Sequence, residues 1–295
     1  MANDEKILVT GAAGFIGKYV LAELSKQSLS CLAVDVLPCS TGEWRQCDLS
    51  NNEALRSIFA SHNFRVVIHL AAMLPTASTR EPFAATQANI LASSNLLACA
   101  TEFRVPRFVF GSSTSVYGLA GTEAPITEEA AAAPRDLYGA AKRYTEILGE
   151  VLRQRQALEF VSLRMATVVG TGARNTASRW RSEIFEALEA GSSQSIALPY
   201  YEGDLLTLVH VEDVAAMLVL LATTERISHS VYNTPAELWS AGELKRAVEG
   251  VSPKISISRI GSKGPVAPLA NGTRFSEEFR LHATSLIDRM KESLA

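Results

Sequence analysis

The chain has 295 residues, 47% of them apolar and 20% charged, and a formal net charge of −3 at pH 7. This composition is typical of a globular protein with a sizeable core, and the lack of basic runs argues against nucleic acid or an anionic membrane surface as a partner. Apolar runs are too short to span a bilayer and the first residues lack a signal peptide's apolar core, so we expect a cytoplasmic protein. The four cysteines have no CxxC spacing, which favours reduced, packed thiols and no metal site.

The first predicted elements are a strand, a glycine-rich turn and a helix. Ile7–Val9 is a short apolar run of the kind that forms a buried parallel strand. Gly11, Gly14 and Gly17 follow in a turn of small residues, and helical periodicity begins at Phe15. This order opens a dinucleotide-binding unit, in which glycines let the backbone approach a pyrophosphate at a helix N-terminus. The alternative is a glycine-rich turn without a ligand.

An acidic residue ends the next predicted strand. Leu29–Val36 carries Asp35 near its carboxyl end, at the distance from the glycine turn that ribose-binding acids have. A carboxylate there can bond ribose hydroxyls and repels a 2′-phosphate, so it favours NAD over NADP, unless it is only a solvated strand-end acid. We expect two elements after it, a short strand over Gln46–Ser50 with Asp48 at its end and a helix over Asn51–His62 capped by Asn51 or Asn52.

The run Arg65–Ala72 predicts another buried strand and its exit. Ala71 and Ala72 are small at the place where a cofactor would have to lie close to the backbone. His69 falls inside the strand pattern, so we expect it to be structural and not catalytic.

A hydroxyl-rich turn, Gly111–Gly118, follows a strand predicted over Arg107–Phe110. The loop Met73–Pro82 and a long helix over Phe83–Phe103 precede that strand. Since ligands of open α/β sheets bind at the carboxyl ends of the strands, we expect this turn to lie at a ligand site.

Tyr138 and Lys142 are four residues apart on a helix predicted over Asp136–Leu148, and therefore share one face. A lysine ammonium and the positive nicotinamide ring of NAD both favour the phenolate of a nearby tyrosine. Tyr138 could then exchange the proton of a secondary alcohol near neutral pH, while Ser113 holds the same oxygen by a hydrogen bond. The alternative is an ordinary amphipathic surface helix.

The rest of the chain is less regular and contains no repeat or clean linker. The elements that we expect are a strand over Glu159–Arg164, a loop over Met165–Asn175, a helix over Ser178–Ala190, a strand over Leu205–His210 continued by a helix over Val211–Leu221, a strand over Val231–Asn233, a helix over Glu237–Val248, an edge strand over Lys254–Ile260, and helical segments over Phe275–Leu281 and Ser285–Leu294.

Taken together, these motifs resemble the extended short-chain dehydrogenases/reductases, and within them the NAD-dependent epimerase/dehydratase group. The matching residues are Thr10–Gly17, Asp35, Asp48, Leu49, His69–Ala72, Ser112, Ser113, Val116–Gly118, Tyr138, Lys142, Leu163, Arg164 and His210–Ala215. The resemblance implies an α/β fold, a Rossmann doubly wound parallel sheet of about seven strands with a smaller C-terminal substrate-binding lobe. Residues 1–165 would be the NAD-binding core and residues 166–295 mostly the substrate lobe, with 205–235 returning to the core. It also implies a homodimer formed through the helices of Asn89–Ala100 and Tyr138–Glu150.

The resemblance further implies residue roles. Tyr138 would be the catalytic acid/base, Lys142 would bind the nicotinamide ribose, and Ser113 would assist Tyr138. The cofactor-binding set would be Gly11, Gly14, Phe15, Ile16 and Gly17 at the pyrophosphate, Asp35 at the adenosine ribose, Asp48 and Leu49 at the adenine, and Leu70, Ala71, Ala72 and Asn89 along the cofactor. The substrate set would be Ser112, Thr114, Thr167, Arg174, Asn175 and Arg179.

Three departures from the group's pattern bear on the reaction. Thr114 and Ser115 stand where 4,6-dehydratases carry Asp-Glu, which argues against dehydration. Thr167 stands where nucleotide-sugar epimerases usually have Asn. Leu206 and Thr207 replace an Arg-Asp pair whose arginine grips the substrate diphosphate, and this loss weakens the nucleotide-sugar interpretation.

Two classes of function therefore stay open. The first is an NAD-dependent enzyme that oxidises a secondary alcohol of a carbohydrate substrate, either a sugar or nucleotide-sugar epimerase or a dehydrogenase of a small sugar acid. The arginines at positions 174, 179 and 181 could bind such an acid, or could simply face solvent. The second class is a non-catalytic dinucleotide-binding regulator on the same fold, which characteristically lacks the tyrosine and lysine.

Overall fold

The structure is a computed structural model that describes residues 5–39, 42–118, 125–174, 178–259 and 268–294. It divides into two compact units. The first unit consists of Met1–Gly118, Ala132–Arg164 and Ala215–Tyr232, and the second of Leu119–Ala131, Met165–Val214 and Asn233–Ala295.

The strands of the described residues, in chain order, are β1 (Lys6–Thr10), β2 (Cys31–Asp35), β3 (Trp44–Gln46), β4 (Phe64–His69), β5 (Arg107–Ser113), β6 (Glu159–Met165), β7 (Thr167–Val169), β8 (Gln194–Leu198), β9 (Leu205–His210), β10 (Val231–Asn233), β11 (Glu237–Ser240) and β12 (Ile255–Arg259).

The helices are α1 (Phe15–Lys26), α2 (Asn52–Ser61), α3 (Pro75–Arg80), α4 (Pro82–Thr86), α5 (Ala92–Glu102), α6 (Leu137–Gln154), α7 (Trp180–Glu189), α8 (Val211–Thr223), α9 (Ala241–Val251), α10 (Thr273–Phe279) and α11 (Leu286–Glu292). A π-helical turn (Gln87–Leu91) joins α4 to α5, and a 3-10 turn (Thr114–Tyr117) follows β5.

One seven-stranded sheet dominates the described part of the first unit, in the order β10-β6-β5-β4-β1-β2-β3. Strand β1 lies inside it, parallel to β2 on one side and to β4 on the other. Its residues Ile7, Leu8 and Val9 are fully buried. A strand covered on both faces needs apolar residues throughout and not in alternation, which explains this run. The predicted fold class, a Rossmann doubly wound sheet, is confirmed.

The helices that flank this sheet follow the predicted periodicity. Helix α2 begins after Asn51, whose side chain accepts a hydrogen bond from the Ala54 amide, so the predicted cap is confirmed. Helix α6 begins after Asp136, which caps the Gly139 amide in the same way. The apolar faces of α2 and α5 meet the sheet in one core cluster around Leu8, Leu96 and Phe108.

Several predicted elements have other bounds or another type. The strand predicted over Gln46–Ser50 lies earlier, at β3, and leaves Asp48 in the loop after it. The predicted loop Met73–Pro82 contains helix α3, which Pro75 can begin because a helix's first residue needs no N–H donor. The loop predicted over Met165–Asn175 contains β7, and the helix predicted over Glu237–Val248 starts as strand β11 and becomes helical only at α9.

The second unit has smaller sheets. Within its described residues, β11, β9 and β7 form one sheet and β12 pairs with β8 in another. Trp180, Phe185 and Leu206 belong to its apolar core. The structure's described helices include none that is both long and apolar enough to cross a bilayer.

Candidate functional site

The glycine turn after β1 is held by close backbone packing. Gly11 has φ +70°, and a Cβ atom on it would lie 2.5 Å from the Ala71 nitrogen. A Cβ on Gly17 would overlap the carbonyl oxygen of Gly11. Helix α1 begins after Gly14, without a side-chain cap and without an acidic residue in its first turn. No acidic residue of its own first turn and no side-chain cap therefore competes for the N-terminal amides of α1, at Phe15 and Ile16, which is the arrangement that receives a phosphate.

Asp35, at the end of β2, lies beside this turn. One carboxylate oxygen accepts a hydrogen bond from the Ala13 amide at 3.0 Å, and the other accepts one from Leu37 at 2.9 Å. The two bonds hold the carboxylate at the carboxyl edge of the sheet, next to the glycine turn. The structure therefore brings Asp35 together with Gly11–Gly17, as the sequence predicted for a ribose-binding acid.

Asp48 and Leu49 follow β3 at the same edge. The Asp48 carboxylate accepts hydrogen bonds from the backbone and the hydroxyl of Ser50, at 2.9 and 2.8 Å. Leu49 is 5% exposed and belongs to the apolar core. Asn95 donates to the Leu49 carbonyl at 3.2 Å and anchors this loop to α5.

His69 ends β4 as a buried link between neighbouring elements. Its Nδ1 lies 2.6 Å from the Thr10 hydroxyl, and its Nε2 lies 2.9 Å from the Ser93 hydroxyl. Ser93 already donates its proton to the Asn89 carbonyl, so Nε2 carries the ring proton and Nδ1 accepts from Thr10. Burial, with repulsion from Lys142 added, lowers the pKa of His69 to about 3. The ring is neutral and structural, as expected.

The chain after β4 packs small residues against the glycine turn. Leu70 donates to the Thr10 carbonyl at 3.1 Å, and Ala71 and Ala72 are half-buried. Asn89, in the π-helical turn, accepts from the Met73 amide at 2.7 Å and donates to the Met73 carbonyl at 2.9 Å. Its amide thus shapes the loop that follows Ala72.

Tyr138 and Lys142 lie one turn apart at the start of α6, and both are buried. The Lys142 ammonium donates to the Gly111 carbonyl at 2.6 Å and lies 5.5 Å from the centre of the Tyr138 ring. Gly111 lies near the carboxyl end of β5, so this hydrogen bond connects α6 to the carboxyl edge of the sheet. Burial lowers the pKa of Lys142 to about 7, although attraction by Glu146 acts in the opposite direction.

The hydroxyl residues at the end of β5 divide between two environments. Ser113 is half-buried, and its oxygen accepts from the Ser115 amide at 3.1 Å. Ser112 is fully buried and donates to the Glu146 carboxylate at 2.7 Å. Thr114 is also buried. Of these three residues, Ser113 is the one that is not fully buried.

A buried ion pair behind this site was not predicted from the sequence. Glu146 on α6 and Arg164 on β6 form two parallel hydrogen bonds, at 2.9 and 2.8 Å. An acidic residue four positions after Lys142, on the buried face of an amphipathic helix, was the available signal. Its partner is separated from it along the chain and could not be read from the helix alone.

The predicted substrate residues with described positions beyond Arg164 belong to the second unit. Thr167 begins β7 and is half-buried, and Arg174 is exposed. The Arg179 side chain is 66% exposed and pairs with Glu183 at 3.1 Å. Asn175 lies outside the described residues.

Leu206 lies on β9, at the position where the resemblance places a phosphate-binding arginine. It is 1% exposed and packs in the apolar core of the second unit, whose members include Trp180, Phe185 and Tyr200. The neighbouring Thr207 hydroxyl donates to the Pro268 carbonyl at 3.4 Å.

Comparison with known proteins gives a family and a set of relatives. The model of the NAD dependent epimerase/dehydratase family matches residues 7–234. UDP-glucuronate 4-epimerase of Thermodesulfobacterium geofontis is 33% identical over 193 residues, which are 59% of each chain. The chain spans a little over half the length of the curated relatives it matches.

Solved structures share the fold over nearly the whole chain. UDP-glucose 4-epimerase with UDP-glucose from Thermotoga maritima has a TM-score of 0.84 at 24% identity and covers 98% of this chain and 97% of its own. L-threonine dehydrogenase from Phytophthora infestans has a TM-score of 0.88 at 20% identity and covers 98% of both. At these identities the likeness is one of fold.

Proposed function

Since the chain belongs to the NAD-dependent epimerase/dehydratase family, we propose that it catalyses hydride transfer at a secondary alcohol of a sugar-type substrate, as a sugar or nucleotide-sugar epimerase. One observation carries this proposal. Tyr138 and Lys142 share one face of α6, and Lys142 is tied to the carboxyl end of β5 beside Ser113. Non-catalytic dinucleotide-binding relatives characteristically lack this tyrosine and lysine.

The cofactor is NAD, and the glycine turn fits it. The uncapped N-terminus of α1 would receive the pyrophosphate at Gly14, Phe15, Ile16 and Gly17. Asp35 would accept from the adenosine ribose, and its negative charge would exclude a 2′-phosphate. When bound, the cofactor supplies a hydride acceptor and, for an epimerase, the donor that returns the hydride.

The residues of this chain would handle the proton. Tyr138, as phenolate, takes the proton of the substrate hydroxyl, and Ser113 donates a hydrogen bond to the same oxygen. The Lys142 ammonium would stabilise the phenolate by its charge and would bind the nicotinamide ribose. Asp48 and Leu49 would border the adenine, and Leu70, Ala71 and Ala72 the rest of the cofactor.

The test compares two phenols on one helix. We expect Tyr138→Phe to lose about 10²- to 10⁴-fold of turnover while NAD binding, followed by calorimetry, persists. Tyr144→Phe is the matched control, because Tyr144 lies on α6 but is 46% exposed. Full turnover by Tyr138→Phe would refute the proposed chemistry.

A second candidate is an NAD-dependent dehydrogenase of a small sugar acid, which the burial of Leu206 favours. A leucine in an apolar core offers no fork for a diphosphate, whereas Arg174 and Arg179 could bind a carboxylate from exposed positions. Excess NAD with UDP-sugars and with sugar acids separates the candidates. Net NADH with a sugar acid supports the dehydrogenase, and an epimerised UDP-sugar without net NADH supports the epimerase.

We also propose that the protein works as a homodimer in the cytoplasm. Ile147 and Val151 are exposed apolar residues one helical turn apart on α6, and the neighbouring helical segment adds Phe83 and Leu91. The four cysteine thiols are free, which suits a reducing compartment.

Sedimentation tests the dimer. Ile147→Glu should give a monomer, whereas Leu238→Glu, an equally exposed apolar site in the second unit, should leave the mass unchanged. A wild-type protein that is monomeric at every concentration would contradict the dimer.

A further inference from the structure

Glu146 is a buried acid that the proposed proton chemistry leaves unused. Its side chain is 1% exposed, and it follows Lys142 by one helical turn on α6. Burying a carboxylate costs free energy unless hydrogen bonds and opposite charges compensate it, and the contacts of Glu146 show which groups do so.

The carboxylate joins three elements of the first unit. Ser112 on β5 donates to it at 2.7 Å, and Arg164 on β6 donates to it twice, at 2.9 and 2.8 Å. Arg164 also donates to the Tyr117 hydroxyl at 2.8 Å, in the turn that follows Ser113. Glu146 therefore fixes how the catalytic face of α6 meets the serine turn at the end of β5.

The Lys142 ammonium itself contacts an aromatic ring and a backbone carbonyl. It lies 4.6 Å from the centre of the Phe110 ring and donates to the Gly111 carbonyl. The ionisable groups that the described structure places at Lys142 or at the Glu146 carboxylate are His69 from β4, which is neutral, Tyr138, Arg143 and Glu146 from α6, and Arg164 from β6. Glu146 is thus the negative charge that opposes the cost of burying this ammonium.

We propose that Glu146 is a positioning residue, whose carboxylate holds the Lys142 ammonium and the Ser112–Ser113 turn in the arrangement that proton exchange at Tyr138 requires. Arg164 limits this effect, because its guanidinium shares the Glu146 charge. The inference rests on the proposed function for its catalytic consequence, but the electrostatic link between Glu146 and Lys142 can be measured without turnover.

The first experiment titrates Lys142 in the cofactor-free protein by NMR of isotope-labelled lysine, with Lys142→Arg to assign the signal. Glu146→Gln should lower the pH midpoint of Lys142 by about one unit, because the attracting charge is gone. Arg164→Gln should raise it, because Glu146 then keeps only its single contact with the more exposed Arg143, at 3.2 Å, beside Lys142. Glu150→Gln, the same change one turn further along α6, should shift it far less.

The Lys142 midpoints of the two variants decide the proposal. Unchanged midpoints in the folded Glu146→Gln and Arg164→Gln variants would overturn the proposal, and loss of folding in both would assign the ion pair a purely structural role. If only one of the two variants folds, the direction in which its Lys142 midpoint shifts provides the test.

A second experiment measures turnover of the wild-type substrate. Glu146→Gln should lower kcat about tenfold near neutral pH and leave KM unchanged. It should also move the pH profile of kcat about one unit upwards, because Lys142 then loses its charge at lower pH and a neutral Lys142 no longer stabilises the Tyr138 phenolate. An unmoved profile would contradict the catalytic part of the proposal. If the wild-type protein turns over none of the sugars, the proposed function fails, while the NMR titration still decides the role of Glu146.

Discussion

Acidification is expected to destabilise the protein through His69, whose ring is fully buried between Thr10 and Ser93. Burial, with repulsion from Lys142 added, lowers the pKa of the folded-state ring to about 3, whereas an exposed histidine titrates near 6.5. Because the folded pKa is the lower one, the unfolded chain takes up the proton first as the pH falls. The stability that the neutral ring contributes is complete above about pH 6.5 and is lost as the pH falls towards the folded pKa.

The size of the loss follows from this difference. Each pH unit inside the window removes about 1.4 kcal/mol, so a fall from about pH 6.5 to 4.5 costs about 2–3 kcal/mol from this one ring. Since domains unfold with about 5–15 kcal/mol in total, the loss is large enough to measure.

Urea unfolding of the wild-type protein and of His69→Gln, at both pH values, isolates the contribution. The glutamine removes the titrating ring, so the variant should lose about 2–3 kcal/mol less than the wild-type protein between the two pH values. His282→Gln is the control, because His282 is exposed and its removal should leave the wild-type loss unchanged. Equal losses in wild type and His69→Gln would refute the reasoning, since His69 would then titrate alike in both states.

Three further predictions concern local structure. Gly11→Ala should weaken NAD binding at least tenfold by calorimetry, because φ is +70° and a Cβ would press on Ala71, and wild-type affinity would contradict this. Arg164→Met should lower the free energy of unfolding by up to about 3–5 kcal/mol in urea, since the buried Glu146 loses both hydrogen bonds of its buried cation and keeps only the half-exposed Arg143, and a neutral effect would argue against the ion pair. Ser240→Ala should cost about 1 kcal/mol of unfolding free energy by removing the capping box of α9, and an unchanged midpoint would show that this cap is dispensable.

The sequence predicted the cofactor half of the fold because its signals are local. Ile7–Val9, the glycine turn and the periodicity from Phe15 are consecutive, so a strand, a turn and a helix can be read without knowledge of partners. The spacing of Tyr138 and Lys142 is local in the same sense, since four residues on a helix fix a shared face.

The elements that sequence reasoning missed depend on distant partners. The capping box of Ser240 and Glu243 marks the observed start of α9, whereas Glu237–Ser240 before it is extended through its pairing with β9, a partner that the local sequence does not show. Strand β8 exists through its pairing with β12, far along the chain. Likewise, Glu146 could be seen as an acid on a helix, but Arg164 as its partner could not.

The position of β10 has a consequence for how the protein is made. This strand borders β6 in the large sheet, yet the chain between them builds much of the second unit before β10 is synthesised. Until Val231–Asn233 leaves the ribosome, β6 presents a buried-type edge of unpaired backbone groups, which is a template for pairing with other chains. A fragment that stops at Met165 would keep the glycine turn, Tyr138 and Lys142, and would still be expected to aggregate. The large sheet of the first unit is therefore completed by a strand that is translated late.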